Sequence, residues 1–252
     1  MVHGLEEFRK HLQDHAGQYV LIGGTACDIL MEASGADLGR TTKDLDMVLI
    51  IEALDSSFGE EFWQLINEAG YERREKATGK EQFYRFTHPS QSEYPKMIEL
   101  FCRKSDRFNL RHEAGLAPIH IDDDIASLSA ILLDDDYYEM LIGHRKTVEE
   151  ISVAETEALI LLKMKAWLDL KAKCDDGKKV DSHDINKHKN DVFRLLTIAK
   201  ADARVNIGKR MQDDVREFIE KINEDKPNLK NLGIAGISLE ELIDKLAGMF
   251  LQ

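Results

Sequence analysis

The sequence predicts an α+β fold: a small mixed β-sheet flanked by helices, followed by a C-terminal helical bundle. Two observations predict it. Five short apolar or alternating runs lie between residues 19 and 102, separated by stretches with helical spacing. From about Ala154 onward the pattern is helical almost without interruption. The change places an α+β domain over residues 1–150 and a helical domain over 151–252.

The elements follow in order. Leu5–His15 is expected as a short helix and Tyr19–Ile22 as the first strand. A helix follows Gly23-Gly24 over Thr25–Ala33, and the run Leu45–Ile51 forms the second strand. Phe58, Phe62, Leu65, Ile66 and Ala69 make the apolar stripe of the next helix. Tyr71–Glu75, Gln82–Thr87 and Lys96–Cys102 are expected strands, with the polar stretch Ala77–Lys80 as a turn. Ile125, Leu128, Ile131 and Leu132 fit a helix, whereas Tyr137–His144 and Lys146–Val153 are expected as strands. The acids at 122–124 and 134–136 mark a helix start and a solvated turn. Ala154–Lys173 is apolar nearly all round and belongs at the centre of a bundle. Asp184–Ala201, Ile207–Asn223 and Ser238–Leu251 supply three further helices.

Composition narrows the function. A chain of 252 residues with 43% apolar content can build a substantial core. No stretch approaches the roughly 20 apolar residues of a membrane span, and the polar start is unlike a secretory signal. Cys27, Cys102 and Cys174 are far apart, which argues against a disulfide framework or zinc knuckle and for a reducing cytoplasm. No Ser-His-Asp or Cys-His nucleophile can be assembled from motifs.

Chemistry concentrates between Tyr19 and Ile50. Strand side chains repeat direction every second residue, so Asp44 and Asp46 project from one face. Carboxylates so close repel each other unless a cation lies between them, and Mg2+ takes oxygen ligands while keeping positions open for substrate oxygens. Gly23-Gly24, at the start of a helix, lets backbone N–H groups approach a phosphate. Either feature alone is common. Together, and with Asp46 leading into the buried run Met47–Ile51, they equip a site for nucleotidyl transfer. Neither a P-loop nor a dinucleotide-binding glycine motif is present.

An apolar strand, Gly-Gly, a helix and an Asp-x-Asp strand resemble the polymerase-β-type nucleotidyltransferase superfamily. Gly23-Gly24-Thr25-Ala26 together with Arg40-x-Thr42-x-Asp44-Leu45-Asp46 resembles its AbiEii-like branch, known for toxins of type IV toxin–antitoxin systems. The resemblance implies a Mg2+-dependent enzyme that moves an NMP from an NTP to an acceptor hydroxyl. It places the phosphates at Gly23, Gly24 and Thr25, with Thr42 beside them, and the metal on Asp44, Asp46 and a third carboxylate. Periodicity leaves Glu99 open between a surface-facing and a functional position; the resemblance makes it that third carboxylate, with Asp106 as fallback. It also matches Lys163 to a lysine that contacts the triphosphate, and Lys187-His188-Lys189-Asn190-Asp191 to a later helix motif. There Asp191 is the better match, Lys187 is taken as the basic position, and Lys189 is its competitor.

Net charge is −13, but Lys163–Arg210 holds 13 Lys or Arg against 7 Asp, an excess of +6 that leaves −19 on the rest. That segment can face nucleotide phosphates or an RNA backbone, or be a solvated helix face balancing acidic neighbours. By resemblance the acceptor is RNA, such as the tRNA end, and the partner a cognate antitoxin. Two alternatives stand beside it: an aminoglycoside-like small molecule or protein as acceptor, and a non-catalytic relative that keeps the fold to bind a nucleotide.

Overall fold

The computed structural model describes residues 2–36, 42–50, 52–73, 84–103 and 134–251. Arg40, Asp106, the turn at Ala77–Lys80, the helix containing Ile125 and Leu132, and the acids at 122–124 lie outside the described residues.

The fold is α+β, built on a mixed sheet with seven strands among the described residues. Its strands are β1 (Tyr19–Ile22), β2 (Asp44–Leu49), β3 (Glu72–Arg73), β4 (Tyr84–Thr87), β5 (Met97–Cys102), β6 (Arg145–Val148) and β7 (Ile151–Ala154). Their order across the sheet is β3-β4-β5-β2-β1-β7-β6. β2 runs antiparallel to β1 and parallel to β5, and β4 runs antiparallel to β5. Every residue of β1 and β7 is buried, so protein covers both faces at the centre of the sheet.

Helices α1 (Leu5–Leu12), α2 (Gly23–Ala33) and α3 (Ser56–Ala69) accompany the first strands. The stripe read from α3 is its buried face, and the Asp55 side chain caps its N-terminus by accepting from the Phe58 N–H. Gly70, with φ +64°, ends that helix in the left-handed conformation.

Two expectations are corrected between residues 134 and 154. Tyr137–His144 is not a strand but part of α4 (Asp135–Gly143). Asp134 caps it, Asp135 and Asp136 complement its first turn, and Tyr137, Tyr138 and Leu141 are buried at helical spacing. Lys146–Val153 is not one strand but the hairpin β6–β7, turned at Glu149 and Glu150 with φ of 46° and 68°. Paired positive φ values usually call for Asn or Gly, so two glutamates conceal the turn. β7 pairs with β1 in the sheet, and the C-terminal run of helices begins at Thr156.

Four helices complete the chain: α5 (Thr156–Asp175), α6 (Ser182–Ile198), α7 (Lys209–Glu224) and α8 (Leu239–Phe250). α5 is buried on nearly every side and packs against α2, α6 and α7. Its first half contains the run ALILL, and Trp167 farther along meets Phe218 of α7 edge to face. Ser238 and Glu241 form a reciprocal capping box at the start of α8.

Candidate active site

The register of the sheet assembles the site. Asp46 pairs with Glu99 across β2 and β5, and Arg85 pairs with Glu99 across β4 and β5. On the other side Asp46 pairs with Ile22, the residue before Gly23. A single row across four strands thus runs Arg85, Glu99, Asp46 and the start of α2. Asp44 lies two residues back on β2, on the same face as Asp46.

Direct passage from β1 into α2 requires Gly23. Its φ is +69°, and a Cβ there would lie 1.8 Å from Asp46 Oδ2. The Asp46 carboxyl therefore packs against the first residue of the helix, where unpaired N–H groups and the helix dipole favour anions. A Cβ on Gly24 would lie 2.9 Å from Thr42 Oγ1 and Cγ2. Thr42 is fixed by its backbone N–H, which donates to Asp28 Oδ2 at 2.9 Å. Thr25 is wholly buried and its hydroxyl donates to the Asp44 carbonyl at 2.6 Å, tying α2 to the mouth of β2.

A cleft of about 240 Å³ opens over this row. The sheet side contributes Gly23, Gly24, Thr42, Asp44, Asp46, Arg85 and Glu99. From the helical side come Lys163 on α5 and Asp184, Lys187 and His188 on α6. Lys163 Nζ lies 3.0 Å from Asp191 Oδ2, and Asp191 is buried behind the cleft wall. Lys189 points elsewhere: its ammonium meets Asp225 Oδ1 at 2.5 Å and the Asp225 carbonyl at 3.2 Å. Of the sequence candidates, Gly23, Gly24, Thr42, Asp44, Asp46, Glu99, Lys163 and Lys187 share the cleft, while Thr25 and Asp191 stand behind it. Arg85 and Asp28 had no sequence signal; only the strand register and the α2 geometry reveal them.

Electrostatics follow from burial. Asp46 and Glu99 are cross-strand neighbours, and Arg85 Nε donates to Glu99 Oε1 at 2.5 Å. Burial, then the Asp46 charge, pushes Glu99 up to about 7 against the opposing pull of Arg85. Burial also raises Asp46, opposed by Lys163 and Lys187. Asp44, at the strand mouth, is raised by partial desolvation against Lys187, Arg85 and Lys43. Both shifts run in the direction that favours a proton on the pair over two neighbouring charges.

This donor set suits a hard divalent cation. Asp44, Asp46 and Glu99 offer oxygen ligands only, and two of them are in contact inside the protein, where a proton or a metal ion must separate their charges. Among the described residues no three acidic, His or Cys side chains already close around one point; Glu99 is instead engaged by Arg85. No helix among the described residues is long and apolar enough to cross a membrane.

An antigenic nucleotidyltransferase-like protein from Paracoccidioides brasiliensis aligns over 93% of this chain and 97% of its own, at 13% identity and a TM-score of 0.43. The Cid1 poly(U) polymerase bound to MgATP aligns over 67% of this chain and 41% of its own, at 13% identity and a TM-score of 0.24. No functionally curated protein matches the sequence. The family model for the nucleotidyl transferase AbiEii toxin of type IV toxin–antitoxin systems matches residues 9–248, nearly the whole length. The chain belongs to the AbiEii nucleotidyltransferase family.

Proposed function

We propose that this protein is a Mg2+-dependent nucleotidyltransferase that transfers an NMP from an NTP to an acceptor hydroxyl. The observation that carries the reading is the Asp46–Glu99 pair, set side by side across β2 and β5 with Asp44 at the same strand mouth and the start of α2 against it. Asp44, Asp46 and Glu99 would hold the metal. When bound, Mg2+ supplies Lewis-acid stabilisation of charge on the reacting phosphate oxygens.

The remaining work falls to the chain itself. The first N–H groups of α2 at Gly23 and Gly24 receive phosphate oxygens, with Thr42 alongside. Lys163 and Lys187 place positive charge on the opposite wall, facing the outer phosphates. Thr25 and Asp191 act from behind, Thr25 on the backbone of Asp44 and Asp191 on the ammonium of Lys163. The acceptor oxygen attacks the α-phosphorus, the bond to pyrophosphate breaks, and the hydroxyl proton passes to Glu99 in its ionised form. The sheet row and the α5–α6 wall both contribute, so the α+β region and the helical region act together.

We assign RNA, with the tRNA end as the leading case, as the acceptor class. With Asp44, Asp46 and Glu99 offset by the metal, the remaining charges of the cleft, Arg85, Lys163 and Lys187 against Asp184, support an anionic acceptor over a cationic aminoglycoside-like one. Family membership supports action as a toxin with a cognate antitoxin, and we place that action in the cytoplasm. Glu99 turned onto Asp46 speaks against a decayed, purely binding relative.

The test is transfer of α-phosphate label from ATP, GTP, CTP and UTP with Mg2+, offering total RNA, aminoglycosides, a protein mixture or no acceptor. Label on RNA with the native protein, absent in Asp46→Ala, is the expected result and names the base. Label on a small molecule or a protein keeps the chemistry and overturns the acceptor; no transfer anywhere overturns the enzyme reading.

A further inference from the structure

Resting on the nucleotidyl-transfer reading of the cleft, we propose that Arg85 is a positioning residue. It holds Glu99 against Asp46, so that the two carboxylates meet an incoming divalent cation already in place. Three observations carry this. Arg85, Glu99 and Asp46 occupy consecutive positions in one row of the sheet, so the guanidinium is delivered by β4 with no loop between it and its target. The Nε–Oε1 contact of 2.5 Å fixes the end of a glutamate chain that has one more rotatable bond than the two aspartates. Asp44, by contrast, pairs with Met97 at the same register, so its cross-strand neighbour on β5 is apolar.

The Arg85 side chain is 23% exposed and lines the cleft, while that of Glu99 is 11% exposed. A guanidinium merely fastening the sheet edge would not need to face the cavity that holds the carboxylates. Partners that orient ligating carboxylates typically govern metal affinity by a factor of about 10–100 when removed. Arg85 also carries a like charge to the metal, which acts in the opposite direction. The sign of the effect therefore distinguishes a positioning group from a competing counter-ion.

The experiment measures Mn2+ binding to the full chain without nucleotide, by calorimetry and by the paramagnetic signal of free Mn2+. Native protein, Arg85→Ala, Arg85→Lys and Asp46→Ala are compared, with circular dichroism confirming the fold of each. Expected are Mn2+ affinity weakened about 10-fold or more in Arg85→Ala, partial recovery in Arg85→Lys, and loss in Asp46→Ala. In transfer assays Arg85→Ala should lower kcat while leaving the KM for NTP within about twofold. Unchanged or tighter Mn2+ binding in a folded Arg85→Ala protein overturns the positioning role and leaves the metal site standing. Native protein that binds Mn2+ no better than Asp46→Ala overturns the metal site itself, and the positioning role with it. If Arg85→Ala does not fold, Arg85→Gln, which keeps a donor of intermediate length, is read by the same criteria.

Discussion

Lys163 of α5 and Asp191 of α6 form an ion pair of 3.0 Å, with 6% and 1% of their side chains exposed. A lysine in the middle of an all-round apolar helix is thus held by a carboxylate from the neighbouring helix, beside the wall of the cleft. Asp191→Ala takes the buried carboxylate from beside the ammonium and should destabilise the protein by about 3–5 kcal/mol. Lys163→Ala should cost less, because Arg194 remains 3.8 Å from Asp191. A Lys163→Ala, Asp191→Ala double variant should cost less than the sum of the single changes. Urea unfolding of the four proteins checks this; additive losses would show that the two side chains are not energetically coupled.

Gly23 allows a sharper test. Alanine there meets two obstacles: a left-handed φ of +69°, costing roughly 1–2 kcal/mol for an L-residue, and an atom 1.8 Å from the Asp46 carboxyl. The carboxyl must move, so Gly23→Ala should lose stability and also lose the rise in melting temperature that Mg2+ gives the native protein. Gly35 also has positive φ but meets nothing within 4 Å, so Gly35→Ala should show the backbone cost with the Mg2+ effect intact. A Mg2+ response that survives in Gly23→Ala would separate Asp46 from the metal site.

The contrast between those glycines marks what the sequence could and could not disclose. Gly23-Gly24 and Asp44-x-Asp46 were legible because local spacing alone puts the glycines at a helix start and the acids on one strand face. Arg85 was not, since its meaning depends on a register between β4 and β5 that no local pattern encodes. Glu99 stood between these cases, ambiguous by alternation until its strand was paired with β2. The errors around residues 137–153 have another origin. Tyr137 and Tyr138 favour strands by propensity, and the capping role of Asp134 outweighs that preference. At Glu149-Glu150 the hairpin adopts backbone angles its residues do not advertise.

Proton linkage at the acidic pair predicts a pH trend. Glu99 is raised from 4.5 to about 7, so between those values the native state binds more protons than the unfolded chain. Without metal, stability should therefore fall as pH rises through that window. Asp46, raised in the same direction, adds to the fall. A divalent cation takes over the proton's part, so the Mg2+-induced rise in melting temperature should grow from pH 5.5 to pH 8.5. Melting curves in EDTA and in Mg2+ at three pH values suffice; a Mg2+ effect that shrinks with rising pH would contradict the shared-proton pair.

Lys187 and Lys189 differ by two positions on α6, and the roughly 100° turn per residue sends them to different sides of the helix. Sequence spacing left both available for the basic role, but their surroundings differ. Lys187 lines the cleft within electrostatic reach of Asp44 and Asp46. Lys189 is buried against Asp225 at the end of α7, where it joins two helices. Lys189→Ala should cost about 1–3 kcal/mol of stability, less than a fully buried pair, because Asp225 is 38% exposed and keeps Lys171 at 3.9 Å. Its NTP affinity should match the native protein wherever it is folded. Lys187→Ala should do the reverse: little change in unfolding free energy, and NTP binding weakened by about 10-fold for the loss of one charge-assisted contact. Fluorescent-NTP titration and urea unfolding of both variants separate the two. A weakened NTP affinity in Lys189→Ala with native binding in Lys187→Ala would exchange their roles and place the phosphate wall on the opposite side of α6.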